Sequence, residues 1–189
     1  MTLDQLKRIM PQAGSRAATF LEPLNAAMAE FGIDMPARQA AFLAQVAHES
    51  GQLRYVRELA SGIAYDNRVD LGNTELEAQT IAALCDCTPG PFWKGRGLIQ
   101  ITGYDNYKAC SDALGIDAVH NPMLLEAPEF AARSAAWYWH THDLNRWADA
   151  GDFDGVSDLI NRGCKTIREG DANGYSDRMA AHQRAKRWL

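Results

Sequence analysis

Hydrophobic and polar residues recur with a helical period along most of this chain. The clearest case follows Pro36, a residue that is favoured in the first turn of a helix. The pattern there predicts a helix over residues 36–50. Glu49 lies three residues after Val46, so its carboxyl belongs at the end of the buried face. The apolar stripe of this helix has a spacing near 3.6 residues and consists of Phe42, Leu43, Val46 and Ala47.

Further helices are predicted wherever this period recurs between breakers. Thr2 and Gln5 form a capping box that opens a short helix before Pro11. Thr74 and Glu77 form a second capping box, before a helix that ends near residue 84. The remaining predicted helices cover about residues 16–31 (bent at Pro23), 104–114, 128–140, 144–150, 154–161 and 176–188.

Two regions break the helical pattern. Residues 52–73 have little periodicity and predict a loop. The segment 95–103 places three aliphatic residues among glycines, which is typical of a short strand or extended segment. In a strand, Gln100 and Thr102 would share one face, and Ile99 and Ile101 would face the core. Since no repeat or linker is evident, we expect one mainly α domain over residues 1–189 with a small extended or β segment.

Composition excludes several classes of protein. An apolar fraction of 47% over 189 residues is sufficient for a core. The net charge of -5 argues against a nucleic-acid binder, for which a basic stripe is expected. No run of 18 apolar residues predicts a membrane span. The first six residues lack a basic region followed by an apolar one, so we expect cytoplasmic synthesis without a signal peptide.

Neither the cysteines nor the histidines form a recognisable site. The C-x-C pair at residues 85–87 could be half of a zinc site, but free thiols are favoured over a metal or a disulfide. No histidine pair at i, i+4 has an adjacent acid, so we expect no metal and no cofactor. A cysteine hydrolase is disfavoured because no cysteine has a nucleophile context. The cysteines are Cys85, Cys87, Cys110 and Cys164.

Two acids are candidates for acid–base chemistry. Partial burial would favour the protonated form of Glu49, as proton donation requires. Glu58 follows nine residues later, beyond Gly51, so the chain can turn back towards Glu49. Glu49 could instead be a structural carboxylate paired with an arginine, and Glu58 a solvated loop acid. Alternatives for the second acid are Asp66, Asp70 and Glu75.

Other polar and aromatic residues leave two interpretations open. Gln100 and Thr102 could bind sugar hydroxyls or a water, and Tyr104 and Asn106 would extend that surface. A solvated edge strand explains the same residues. The aromatic group Trp137, Tyr138, Trp139 and Trp147 is favoured as core over a ligand platform. The basic stretch 178–189 is favoured as a docked terminal helix over a surface that contacts an anionic envelope.

The chain resembles glycoside hydrolase family 19, which includes chitinases and phage endolysins. The resemblance covers about residues 36–178 and is strongest over 41–51 (AFLAQVAHESG) and 95–103 (GRGLIQITG). Shorter matching pieces are 121–125, 149–154, 159–163 and 173–174. The resemblance implies a lysozyme-like, two-lobed helical fold with a central cleft. It also implies inverting hydrolysis of β-1,4 bonds to N-acetylated sugars without a cofactor.

The resemblance also assigns roles to individual residues. Glu49 looks like the family's acid, Glu58 like its base, and Thr102 like the hydroxyl residue that helps to hold the attacking water. The positions associated with substrate contact or with ordering the catalytic network are His48, Gln100, Tyr104, Asn106, Asn161 and Arg178.

From these features we expect a monomeric endolysin that cuts the glycan strand of peptidoglycan. It would be made in the cytoplasm of an infected bacterium and reach the periplasm and cell wall at lysis, without stable membrane insertion. Three alternatives stay open. They are a chitinase with the same chemistry, a non-catalytic wall-binding module that retains the cleft, and a contact-delivered lytic effector.

Overall fold

The computed structural model describes residues 1–189, which form ten α-helices joined by turns and three short 3-10 helices. This confirms the predicted mainly helical fold. The α-helices are α1 (Leu3–Ile9), α2 (Arg16–Glu30), α3 (Pro36–Glu49), α4 (Leu76–Leu84), α5 (Pro89–Phe92), α6 (Tyr104–Leu114), α7 (Pro128–Thr141), α8 (Leu144–Asp149), α9 (Phe153–Arg162) and α10 (Tyr175–Trp188). The 3-10 helices are Ile63–Tyr65, Val69–Leu71 and Pro122–Glu126.

Of the three start signals named in the sequence, two capping boxes and Pro36, two are confirmed. The Thr2 side chain accepts from the Gln5 backbone N–H, and the Gln5 side chain accepts from Thr2, so the first capping box is confirmed. Helix α3 begins at Pro36, as predicted. The second predicted box is wrong, because the residue that precedes α4 is Glu75 and makes no side-chain cap.

The larger of two hydrophobic cores surrounds α3. Residues 40–47 of this helix are all buried, because α10, α8 and α9 pack against it. Phe42 meets Trp139 of α7 edge to face, with ring centroids 5.5 Å apart. Helix α2 packs against α7 and closes the same core. The terminal helix α10 is therefore docked on α3, as the favoured interpretation of the basic C-terminal stretch required.

A smaller core forms the second lobe. It contains Trp93, Tyr104, Tyr107 and Leu114, and Trp137 of α7 closes it. Trp139, two residues further along α7, belongs to the larger core. Helix α7 therefore contributes to both cores and leaves Tyr138, between the two tryptophans, only partly buried.

The segment 95–103 is not the predicted strand. Arg96 and Ile101 exchange two backbone hydrogen bonds of 3.0 and 2.8 Å, so the chain reverses direction between them. Gly97 and Gln100 have φ values of 83° and 60°, which a continuous strand does not allow. The prediction that both isoleucines face the core is therefore confirmed for Ile101, which is 4% exposed, and wrong for Ile99, which is only partly buried.

Two further findings concern the whole chain. No helix combines the length and the apolar character needed to cross a membrane. All four cysteines are free thiols, and burial raises the pKa of Cys110 to about 12.

His182 of α10 should make stability pH-dependent. Its ring stacks on Phe153 with centroids 3.9 Å apart, and burial, with Lys186 nearby, lowers its pKa from 6.5 to about 4. Between these values the unfolded chain binds the extra proton and the folded chain does not. The contribution of His182 to stability is thus fully present above pH 6.5 and is lost as pH falls towards 4.

We predict that His182→Gln flattens the pH dependence of the free energy of unfolding between pH 6.5 and 4.5. Urea denaturation at several pH values measures this slope. His120→Gln is the control, because the His120 side chain is 64% exposed. An unchanged slope in His182→Gln would contradict the prediction.

Candidate active site

A groove of about 170 Å³ lies between the two lobes. The reversing turn contributes Gln100 and Thr102 to it, and Asn106 adds an amide from α6. Tyr138 of α7 also lines the groove, and Ile160 of α9 lines it from the larger lobe. The structure thus brings three predicted site residues together around one cavity. The groove is completed by Leu71, Ile99 and Ile101.

Glu49 ends α3 and is held by a buried cation. Its Oε1 accepts a hydrogen bond from Nη2 of Arg178 at 2.5 Å, while 22% of its side chain stays exposed. The burial of Tyr138 and, to a smaller extent, the charge of Glu49 raise the pKa of that tyrosine. Glu49 is therefore electrostatically coupled to a residue of the groove wall. The sequence left open that Glu49 pairs with an arginine; the structure shows this pair, and the arginine is Arg178 of α10.

Arg178 is fixed from three sides. Besides Glu49, its guanidinium donates to Gln45 Oε1 at 2.5 Å and to the backbone oxygen of Asn173 at 3.0 Å. Gln45 in turn donates to Ser157 Oγ at 3.0 Å. Since the Arg178 side chain is only 1% exposed, removing an acceptor would leave a buried cation with an unpaired donor.

Glu58 is held by the second lobe. Its backbone N–H donates to the Gly95 oxygen at 2.8 Å, and its Oε2 accepts from the Gly95 N–H at 3.2 Å. The Tyr65 hydroxyl donates to Oε1 at 2.9 Å. Burial and this carboxylate together raise the pKa of Tyr65. Both carboxylate oxygens of Glu58 thus have a fixed donor.

Gly95 connects Glu58 to the groove. A Cβ at this position would lie 2.9 Å from Gln100 Oε1 and 3.3 Å from Thr102 Oγ1, so only glycine fits without displacement. The Thr102 hydroxyl donates to the Gln100 backbone oxygen at 2.9 Å. Glu58 and Thr102 therefore lie on two sides of the same glycine.

Arg96 holds the turn in place from behind. Its guanidinium donates to Glu126 at 2.8 Å, to the Phe92 oxygen at 2.8 Å and to the Tyr107 hydroxyl at 3.2 Å. The pKa of Tyr107 is raised because the ring is buried. This arginine anchors the backbone that positions both Gly95 and Thr102.

His48 lies beside Glu49 but is held by α10. Its Nδ1 is 2.8 Å from Asp177 Oδ2. Gly174 lies under the ring, and a Cβ there would be 2.1 Å from His48 Cε1. Asn161, at the end of α9, accepts from the Asn173 N–H at 2.9 Å. His48 and Asn161 thus both contact the chain that leads into α10.

The prediction that Tyr104 contacts substrate is wrong. Tyr104 is 1% exposed and packs on Trp93 in the smaller core, with centroids 4.9 Å apart. Its hydroxyl has no hydrogen-bond partner. The pattern that suggested a polar surface was the start of α6, whose first residue points inwards.

The alternatives to Glu58 have other bonds. Asp66 Oδ1 accepts from the Gly90 N–H at 2.8 Å. Asp70 is ion-paired with Arg68, which lowers the pKa of that carboxyl. Glu75 is exposed at the start of α4. None of these three acids is bonded to the groove-lining turn.

Several residues of the network were missed at the sequence level. Gln45 had a usable signal, because a glutamine interrupts the apolar face of α3 one turn before Glu49. Tyr65 had none, since it lies in no periodic element. Asn173 lies in the matching piece 173–174, but nothing in the sequence indicated its bond to Arg178. No group of three or more His, Cys, Asp or Glu side chains is placed to hold a metal ion.

A family profile and several similar curated proteins all carry chitinase names. The family profile Glyco_hydro_19, described as chitinase class I, matches residues 25–151. The basic 30 kDa endochitinase of Solanum lycopersicum is 30% identical over 183 residues, which cover 80% of this chain and 54% of that protein. Endochitinase At2g43620 of Arabidopsis thaliana is 35% identical over 102 residues, or 53% of this chain and 31% of that protein. The chain thus spans about half or less of the length of these relatives.

Solved structures share the fold. Chitinase C from Streptomyces griseus HUT6037 superposes with a TM-score of 0.75 at 23% identity, covering 98% of this chain and 75% of that one. A bacterial family 19 chitinase superposes with a TM-score of 0.73 at 23% identity, covering 99% and 93%. At this identity the likeness supports the two-lobed fold alone.

We predict that Gly174→Ala destabilises the protein more than Gly163→Ala does. Both glycines have positive φ, 69° and 77°, so both substitutions incur the left-handed backbone cost of roughly 1–2 kcal/mol. Only the Cβ at position 174 would meet His48; the Cβ at 163 meets open space. The extra overpacking cost is about 1–3 kcal/mol. Urea denaturation of both variants measures the difference, and equal losses would contradict the contact with His48.

Proposed function

Because the matching profile covers more than half of its length, the chain belongs to glycoside hydrolase family 19, and we propose that it hydrolyses β-1,4 bonds between N-acetylated sugars. The observation that supports this most directly is a pair of fixed carboxylates, each near a side chain that lines the groove: Glu49 near Tyr138, and Glu58, through Gly95, near Thr102. Glu49 is held by Arg178, and Glu58 by Gly95 and Tyr65. An inverting glycosidase needs two such groups, one as acid and one as base.

In the proposed reaction, protonated Glu49 gives its proton to the glycosidic oxygen. Glu58 takes a proton from a water molecule, which attacks the anomeric carbon from the opposite face as the bond to the leaving oxygen breaks. Thr102 orients that water, because its hydroxyl lies at the same glycine as Glu58. The products are two shorter sugars, one with inverted configuration at the new reducing end.

Arg178 contributes in the later part of this step. When Glu49 has released its proton it becomes an anion in a partly buried position. The guanidinium is already in hydrogen-bond contact with Glu49, so the new charge is stabilised without reorganisation. Tyr65 and the Gly95 N–H do the same for the carboxylate of Glu58 before the reaction.

The substrate we propose is a chitin-type chain of N-acetylglucosamine. This follows from the endochitinase names of the relatives and changes the order of the sequence-based expectations, which placed peptidoglycan first. Peptidoglycan carries the same type of bond. Peptidoglycan is therefore the second polymer to be tested as a substrate.

We predict that the purified protein shortens N-acetylglucosamine oligomers and that Glu49→Gln and Glu58→Gln each lower kcat by about 10² to 10⁴-fold. Proton NMR during the first minutes should show the α-anomer at the new reducing end, since a β bond is cut with inversion. Glu75→Gln is the matched control, because this acid is exposed at the start of α4 and is bonded neither to Arg178 nor to Gly95.

Mass spectrometry of digested chitin oligomers and digested peptidoglycan decides the polymer. New ends from peptidoglycan alone would replace the proposed substrate. New ends from neither polymer, or activity that survives both glutamate substitutions, would disprove the proposed function.

A further inference from the structure

The segment 163–174, between α9 and α10, is fixed although it has no regular structure and is largely exposed. The side chain at its tip, Ile167, is fully open to solvent. Such a segment is normally mobile, because few of its backbone groups have partners. Here its polar groups are instead bonded to buried side chains of α9.

Two carboxylates one turn apart on α9 provide these bonds. Asp154, 7% exposed, accepts from the Gly170 N–H at 2.7 Å and from Lys165 Nζ at 2.5 Å. Asp158 is fully buried, and its Oδ2 accepts from the Thr166 N–H at 2.9 Å. The Thr166 hydroxyl lies 3.1 Å from the same oxygen, 2.9 Å from Asp171 Oδ1 and 3.2 Å from the Arg168 backbone oxygen, so it joins the anchor to the segment itself. Residues at i and i+4 share a helix face, so both anchors act on the same segment.

The burial of Asp158 lowers the stability of the folded state. The other carboxylate oxygen of this residue, Oδ1, is buried and has no hydrogen-bond partner. A carboxylate in that condition destabilises the folded state, since burial of a charge is unfavourable unless it is fully bonded. The hydrogen bonds that the Asp158 carboxylate does make all go to Thr166.

The end of the segment supports the acid. The backbone oxygen of Asn173 accepts from Arg178 Nε at 3.0 Å, and the Asn173 N–H donates to Asn161. Arg178 donates in turn to Glu49. The hydrogen bonds of Asp158 are therefore connected to Glu49 through one short stretch of backbone, residues 166–173, and one guanidinium.

We propose that Asp158 and Thr166 are positioning residues that hold segment 163–174 so that the Asn173 oxygen aims Arg178 at Glu49. This inference rests on the proposed function of Glu49. Loss of the anchor leaves the groove-lining residues in place but lets the guanidinium move away from the acid. Since charge stabilisation depends on preorganised donors, kcat should fall while KM changes little.

The substitution that tests this is Thr166→Val, which keeps the shape of the side chain and removes its hydroxyl. We expect kcat to fall about tenfold, which corresponds to about 1.4 kcal/mol of transition-state stabilisation. Thr166→Ser restores the hydroxyl and should recover most of the rate. Thr80→Val is the control, because the Thr80 hydroxyl bonds only a backbone oxygen within α4 of the other lobe.

A double-mutant cycle separates positioning from a general structural effect. In an Arg178→Lys background, Thr166→Val should lower kcat by less than about twofold, because the group through which it acts is already gone. Equal factors in both backgrounds would overturn the proposal, as would an unchanged kcat in Thr166→Val. Both single variants are compared by urea denaturation to ensure that the folded protein is measured.

The Arg178 Nε–H signal in ¹⁵N NMR gives a readout that does not need activity. Thr166→Val should speed the hydrogen exchange of the Arg178 Nε–H and of the Asn173 amide, whereas Thr80→Val should change neither. If the wild-type protein cuts neither polymer, the proposed function fails while this measurement still decides the positioning role. Unchanged exchange of the Arg178 signal in Thr166→Val would contradict it.

Discussion

The contact between the Arg178 guanidinium and Glu49 is the constraint on which the rest of the site depends. A fully buried cation requires acceptors for its donors, and α3 supplies two of them, Gln45 and Glu49, while the chain before α10 supplies the Asn173 oxygen. The requirement brings the last turn of α3 to the first turn of α10, 129 residues later in sequence. It also explains why Gln45 lies within an otherwise apolar helix face.

The second acid is organised on a different principle. Glu58 has no cation; it is bonded to a glycine backbone and a tyrosine hydroxyl of the smaller lobe. Arg96 stabilises that lobe's turn from the far side and does not touch either acid. One carboxylate is thus paired with a charge in the larger lobe, and the other with neutral donors.

The groove forms because α7 packs into both cores. Trp137 and Trp139 are each buried in a different core, and the residue between them is only partly buried. Tyr138 lines the groove for this reason. The consecutive aromatic residues 137–139 therefore include two core residues and one that lines the groove. The sequence pattern alone does not distinguish the groove residue from the core residues.

The sequence by itself determined nine of the ten α-helices, the start of α3, the position of Glu49 at the end of a buried face and the family; it did not predict α5 (Pro89–Phe92). These follow from local periodicity, proline and capping preferences and contiguous motifs. Only the tertiary structure decided that residues 95–103 form a reversing turn, that Tyr104 is buried, and that Arg178 is bonded at once to Glu49, Gln45 and Asn173. The reason is physical: a turn, the inward face of a first helical residue and the partner of a buried charge all depend on residues distant in sequence, which no local pattern encodes.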